Sequence, residues 1–70
     1  MTRQVFHDKV AAILEVDHVD DSTEFRKLDG WCSLQAFGLM VLLENGLGVR
    51  LDMDAFSRLN TVGDLYAAGS

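Results

Sequence analysis

The apolar positions of this chain fall into two helical runs separated by a stretch without a period. Val5, Phe6, Val10, Ile13 and Leu14 recur near three-to-four spacing, which puts side chains on one face of an α-helix. Thr2 stands just before them and has the side-chain oxygen that an N-cap needs, so a first helix is expected from there to Glu15 or Val16. From Asp17 to Gly30 the period disappears and acids gather, which reads as a long loop. Val19, Phe25 and Leu28 are the side chains expected to pin it to a core; so long a loop in a small domain is usually functional or well anchored.

The second run is expected to begin at Ser33 and continue to about Glu44 or Asn45, where Asn45-Gly46 offers a left-handed stop. At about 3.6 residues per turn it carries two apolar stripes. Ala36, Leu39, Met40, Leu43 and Leu47 form one, and Leu34, Phe37 and Val41 form the other. A helix that is apolar on two sides is either central to the fold or shows one stripe to a partner. Full enclosure is hard in so small a protein, so Leu34, Phe37 and Val41 are expected to be partly exposed. Beyond this helix, Gly48-Val49-Arg50-Leu51 reads as extended, and Asp54 as the cap of a short turn through Leu59. Thr61 and Asp64 have capping-box spacing and open a last helix that Gly69 ends. Three main helices and a short one make the chain all-α, because Val49-Arg50-Leu51 is too short and isolated to support a sheet.

Composition narrows the class of protein. Seventy residues make a single small domain, read here as 1–70, and the 49% of apolar residues compensates for a core that is marginal at this length. One cysteine forms no internal disulfide, and no apolar run approaches the length of a membrane span. Met1-Thr2-Arg3-Gln4 leads into mixed charge rather than a signal core, so a cytoplasmic location is expected. The net charge of −5 argues against nucleic acid, and it suits either basic partners or ordinary solubility. Glu15, Asp17, Asp20, Asp21 and Glu24 invite a divalent ion, but they lack the ligand spacing and central glycine of an EF-hand; a solvated loop is the alternative, and no metal site is expected. His7 and His18 read as surface residues.

Phe25-Arg26-Lys27-Leu28-Asp29-Gly30-Trp31-Cys32-Ser33-Leu34 places an apolar anchor, a glycine turn and a hydroxyl at the mouth of the second helix. This arrangement resembles the attachment site of acyl carrier proteins, in which a serine followed by leucine opens the second helix. The resemblance runs from about Val5 to Ala68, through Val19-Asp20-Asp21-Ser22-Thr23-Glu24-Phe25, Gly48-Val49-Arg50-Leu51 and Leu59-Asn60-Thr61-Val62-Gly63-Asp64-Leu65. It implies an acyl-carrier-like bundle with an up-down arrangement and the long loop crossing it. It implies no catalysis by the chain itself. A phosphopantetheinyl transferase would move phosphopantetheine from coenzyme A onto Ser33, and acyl-loading and acyl-processing enzymes would use the arm. Leu34, Phe37, Val41 and Glu44 would then meet those partners, and the carrier would be a monomer serving fatty acid, polyketide or specialised lipid biosynthesis. An aminoacyl or peptidyl carrier would use the same serine, and an unmodified helical interaction module would use the apolar stripe alone.

The chain departs from the family pattern at the site. Cys32 stands where an aspartate most often precedes the serine; it is either a reactive thiol at a helix start or a small, partly buried filler. Trp31 replaces a residue that is usually small, as in specialised carriers, and its bland reading is a plug that packs the loop. The second helix keeps Glu44 but has lost most of the family's acids, so its docking should be more apolar and less salt-sensitive. Gly38 costs that helix about 1 kcal/mol against alanine.

Overall fold

The computed structural model describes residues 1–69 and contains α1 (Arg3–Leu14), α2 (Ser33–Leu47), α3 (Met53–Ser57) and α4 (Val62–Ala68). Among the described residues the only extended pairing is an isolated antiparallel bridge between Glu24 and Thr61. The all-α reading with three main helices and a short one therefore holds.

Local chemistry explains most of the ends. The Thr2 hydroxyl accepts from the Val5 N–H at 3.2 Å and starts α1. At its other end Glu15 takes a left-handed conformation with φ of 58°, and the Glu15 and Val16 N–H groups reach back to carbonyls of Ala12 and Ala11. Thr61 and Asp64 form the expected capping box, each side chain accepting from the other's backbone N–H at 3.1 Å, and Gly69 closes α4.

Two boundaries differ from expectation. Asn45-Gly46 does not stop α2, which continues to Leu47 and ends at Gly48, with φ of 71°. Leu47 packs partly buried on the core and close against Gly69, so its burial outweighs the weak helix preference of Gly46. The N-cap of α3 is Asp52 rather than Asp54: its extended backbone leaves the carboxylate free to accept from the Ala55 N–H at 2.8 Å, while Asp54 is already helical. That short helix also ends at Ser57, before Leu59.

The core joins Phe6, Val10, Ala11 and Leu14 of α1 to Ala36, Leu39 and Leu43 of α2, Phe56 of α3, and Val62 and Leu65 of α4. Val19 and Phe25 of the long loop are fully part of it, and Leu28 is half-buried against it. The loop includes a single 3-10 turn at Phe25–Lys27 that its composition does not announce. Arg26 straps it down. Its guanidinium donates to the carbonyls of Leu59 and Phe56, the latter at 2.7 Å, and lies over the Phe25 and Phe56 rings at 4.9 and 5.1 Å. The N–H of Val62 reaches the Thr23 carbonyl at 3.0 Å and that of Gly63 reaches the Asp21 carbonyl at 2.9 Å. A Cβ at position 63 would stand 3.0 Å from the same oxygen, so the approach needs glycine.

The loop acids serve these straps separately. Asp20 accepts from the Ser22 N–H and hydroxyl at 2.9 and 2.7 Å, Asp21 pairs with Arg3 and His7, and Glu24 lies 3.2 Å from Lys27. Among the described residues no group of three or more His, Cys, Asp or Glu is placed to hold an ion. His18 is exposed, but His7 is not the surface residue its sequence context suggests. Its side chain is 14% exposed, with Nε2 2.8 Å from Asp21, because the loop folds back over α1.

Candidate functional site

The site is built where the long loop enters α2. Trp31 packs its ring 5.3 Å from that of Phe25, so the residue that looked foreign to the motif works as a plug for the loop. Gly30 before it turns the chain with φ of 84°, a conformation that costs other residues strain. Cys32 is extended and is itself the N-cap of α2; Ser33 is the first helical residue, one position later than a capping serine would stand. Cys32 is exposed rather than a partly buried filler: it is the neighbouring Trp31 whose side chain packs against the core.

Side chains cap α1, α3 and α4, but none caps α2. Its first turn has no acidic residue either. The first N–H groups of a helix lack internal partners and carry partial positive charge. An exposed alcohol therefore stands beside an uncapped, electropositive helix start, where an anionic ester would be stabilised.

Along α2 the two stripes separate. Ala36, Leu39 and Leu43 are buried, whereas Leu34, Phe37 and Val41 are 77%, 65% and 39% exposed. Ser33, Leu34, Phe37 and Val41 thus share the outer side of one helix, within about two turns. Glu44 lies beyond them, and its carboxylate accepts from Arg50 at 2.8 Å, which holds that guanidinium above its ordinary pKa. The structure thus brings the serine and the apolar stripe together and leaves Glu44 engaged elsewhere.

The outer side is also a groove. α1 and α2 run antiparallel, with Gln35 donating to the Leu14 carbonyl at 3.5 Å near one end and Met1 lying against Gly46 at the other. Between them lies an open cleft of about 550 Å³, whose walls include Ala12, Ile13, Cys32, Leu34, Phe37 and Gly38. A second cleft of about 360 Å³ shares Ala12, Ile13 and Gly38 and extends to Val41 and Asn45. The α1 contribution was not foreseen. Ala12 and Ile13 are ordinary helix residues in the sequence, and only the packing of α1 on α2 sets them opposite Phe37.

A family model described as the phosphopantetheine attachment site matches residues 4–68. Neither the curated proteins nor the solved structures offer a match. Among the described residues, no helix is long and apolar enough to cross a membrane.

Proposed function

The chain belongs to the phosphopantetheine attachment site family, whose members are non-catalytic carriers of covalently bound phosphopantetheine, and on that premise we propose that Ser33 bears the arm and that its cargo is an acyl group. When attached, the arm supplies a terminal thiol that holds cargo as a thioester. Coenzyme A is the donor, a phosphopantetheinyl transferase the modifying partner, and acyl-loading and acyl-processing enzymes the later ones.

The observation that carries the assignment is the exposed Ser33 hydroxyl at the one α-helix start, among the described residues, that no side chain caps. The first N–H groups of α2 stabilise a phosphate there, Gly30 and the extended Cys32 hold the hydroxyl away from the core, and Trp31 fixes the segment by packing on Phe25. Leu34, Phe37 and Val41 receive partners, because an enzyme reaching the arm approaches over that surface. An acyl cargo is favoured over an aminoacyl one by the apolar walls beside Ser33, which offer a charged ammonium group little compensation for lost water. The carrier acts as a cytoplasmic monomer, and residues 1–70 form one carrier domain.

Intact mass tests the assignment. Incubation with coenzyme A and a broad-specificity phosphopantetheinyl transferase should add one phosphopantetheinyl group to the chain, mapped to Ser33, and Ser33→Ala should gain none. A gain that survives in the alanine variant places the attachment elsewhere.

A further inference from the structure

Glu15 is held against its own local chemistry. It is the only non-glycine among the described residues with a positive φ, 58°, a conformation that strains any residue with a Cβ. It also puts a negative group at the C-terminal end of α1, where the helix carbonyls are already partly negative and the last turn supplies no cation. Glycine would meet neither cost. Among the described residues the exposed Glu15 carboxylate has no ion-pair partner, whereas Asp21, Glu24 and Glu44 each have one. Strain held at a charged, unpaired residue points to a use for that charge.

The packing of α1 on α2 supplies the use. Gln35, in the first turn of α2, donates to the carbonyl of Leu14 at 3.5 Å and ties the end of α1 to the start of α2. Glu15 follows Leu14, and together with Gly30, Cys32 and Leu34 it lines the cleft that opens beside Ser33. Among the described residues it is the only charged one lining that cleft. α2 brings no carboxylate of its own to its mouth. Its N-cap makes no side-chain bond, its first turn has no acid, and Glu44 is already paired with Arg50. At 1.5 Å per residue, Glu44 also lies about 16 Å along the helix from Ser33. We infer that Glu15 is a specificity-determining residue for the loading of Ser33, the carboxylate that pairs with a cationic group of the phosphopantetheinyl transferase as it docks.

The inference rests on the reading of Ser33 as the attachment point, and the chemistry of loading identifies the partner charge. Ser33 Oγ bonds to the phosphorus that carries the pantetheine, and its proton passes to a base of the transferase. Adenosine bisphosphate leaves with the electron pair of the broken P–O bond. Coenzyme A brings a pyrophosphate and a further phosphate, so the transferase must set basic side chains or a divalent ion within reach of the serine. The part of that cationic field that faces the carrier meets Glu15 across the mouth of α2. An exposed pair of this kind guides and orients the approach more than it adds affinity.

Initial rates of loading by a broad-specificity phosphopantetheinyl transferase, read by intact mass on the whole chain with saturating coenzyme A, test the inference. Glu15→Gln should melt no lower than wild type and raise the KM for the carrier about fivefold at about 20 mM salt, with kcat unchanged. At about 500 mM salt the two proteins should converge, because screening removes the pair. Glu15→Asp should keep most of the wild-type KM. Glu15→Gly, which removes strain and charge together, should gain stability and yet lose loading like Glu15→Gln. Adding Cys32→Asp to Glu15→Gln should restore KM by placing a carboxylate next to Ser33, and Asp29→Asn, outside the cleft, should change little. A wild-type KM in Glu15→Gln overturns the inference, as does a loss that persists at high salt, one that Cys32→Asp does not recover, or a larger loss in Asp29→Asn. Those outcomes leave the attachment reading standing, whereas failure to load wild-type Ser33 removes both.

Discussion

Two large apolar residues six positions apart on α2 should behave oppositely when truncated. Leu43 is 1% exposed and packs within the core, whereas Phe37 is 65% exposed. Leu43→Ala removes buried methyl groups and leaves a cavity, at a cost of about 2–5 kcal/mol. A chain of this length has a total stability of only about 3.5–10 kcal/mol, so that loss consumes a large share of it. At about 4–8 °C per kcal/mol, a loss of about 3 kcal/mol lowers the melting temperature by about 12–24 °C. For Phe37, about a third of a side chain of about 200 Å² is covered; at 25 cal/mol per Å² that gives at most about 1.7 kcal/mol. The area retained by alanine and the compactness of the unfolded chain bring it nearer 1 kcal/mol. Thermal melts followed by far-UV circular dichroism measure both. The rate of Ser33 modification separates stability from docking. Phe37→Ala should lower transferase kcat/KM about tenfold while the protein stays folded, because exposed aromatics concentrate binding energy. Equal falls in melting temperature for the two variants would refute the exposed-stripe argument; an unchanged loading rate in Phe37→Ala would remove Phe37 from the docking face.

Glu15→Gly should stabilise the domain by about 0.5–1 kcal/mol in denaturant titration, since it relieves a left-handed non-glycine residue and removes an acid from the negative end of α1. Cys32→Asp should stabilise α2 by about 1 kcal/mol, because the N-cap now makes no side-chain bond, and Ser33 should be modified at least as fast as in wild type; much slower modification would show that the thiol matters. Acid should unfold the protein through depressed carboxyls. The Asn60 and Thr61 N–H groups hold Asp64 below its ordinary value of 3.8, the Ser22 hydroxyl and N–H do the same for Asp20, and His7 followed by Arg3 does so for Asp21. Groups with lowered folded pKa contribute fully above the unfolded value and lose that contribution as pH falls through the folded one, so stability should decline from about pH 4 downward. Asp64→Asn should be less stable at neutral pH and show a shallower acid decline; an identical acid profile would exclude Asp64 from it.

Much of the site was legible in the chain because it is local chemistry. The three-to-four spacing of Val5 to Leu14 makes α1, Thr61 with Asp64 makes a capping box, and Gly30-Trp31-Cys32-Ser33-Leu34 makes a helix mouth with a hydroxyl. The two stripes of α2 likewise implied that one would remain outside, because this short chain has too little other apolar surface to cover both. Tertiary structure decided what depends on which surfaces meet. Gly46 stays helical only because Leu47 finds a place on the core and against Gly69. His7 is shielded only because Asp21 arrives from the folded loop, and that loop is held by Arg26 reaching carbonyls about thirty residues away. The groove beside Ser33 needs Ala12 and Ile13 set against Phe37 and Gly38 by the antiparallel packing of α1 and α2. Periodicity reports which side of a helix is apolar; the neighbour and the gap left between them arise only when distant segments compete for the same small core.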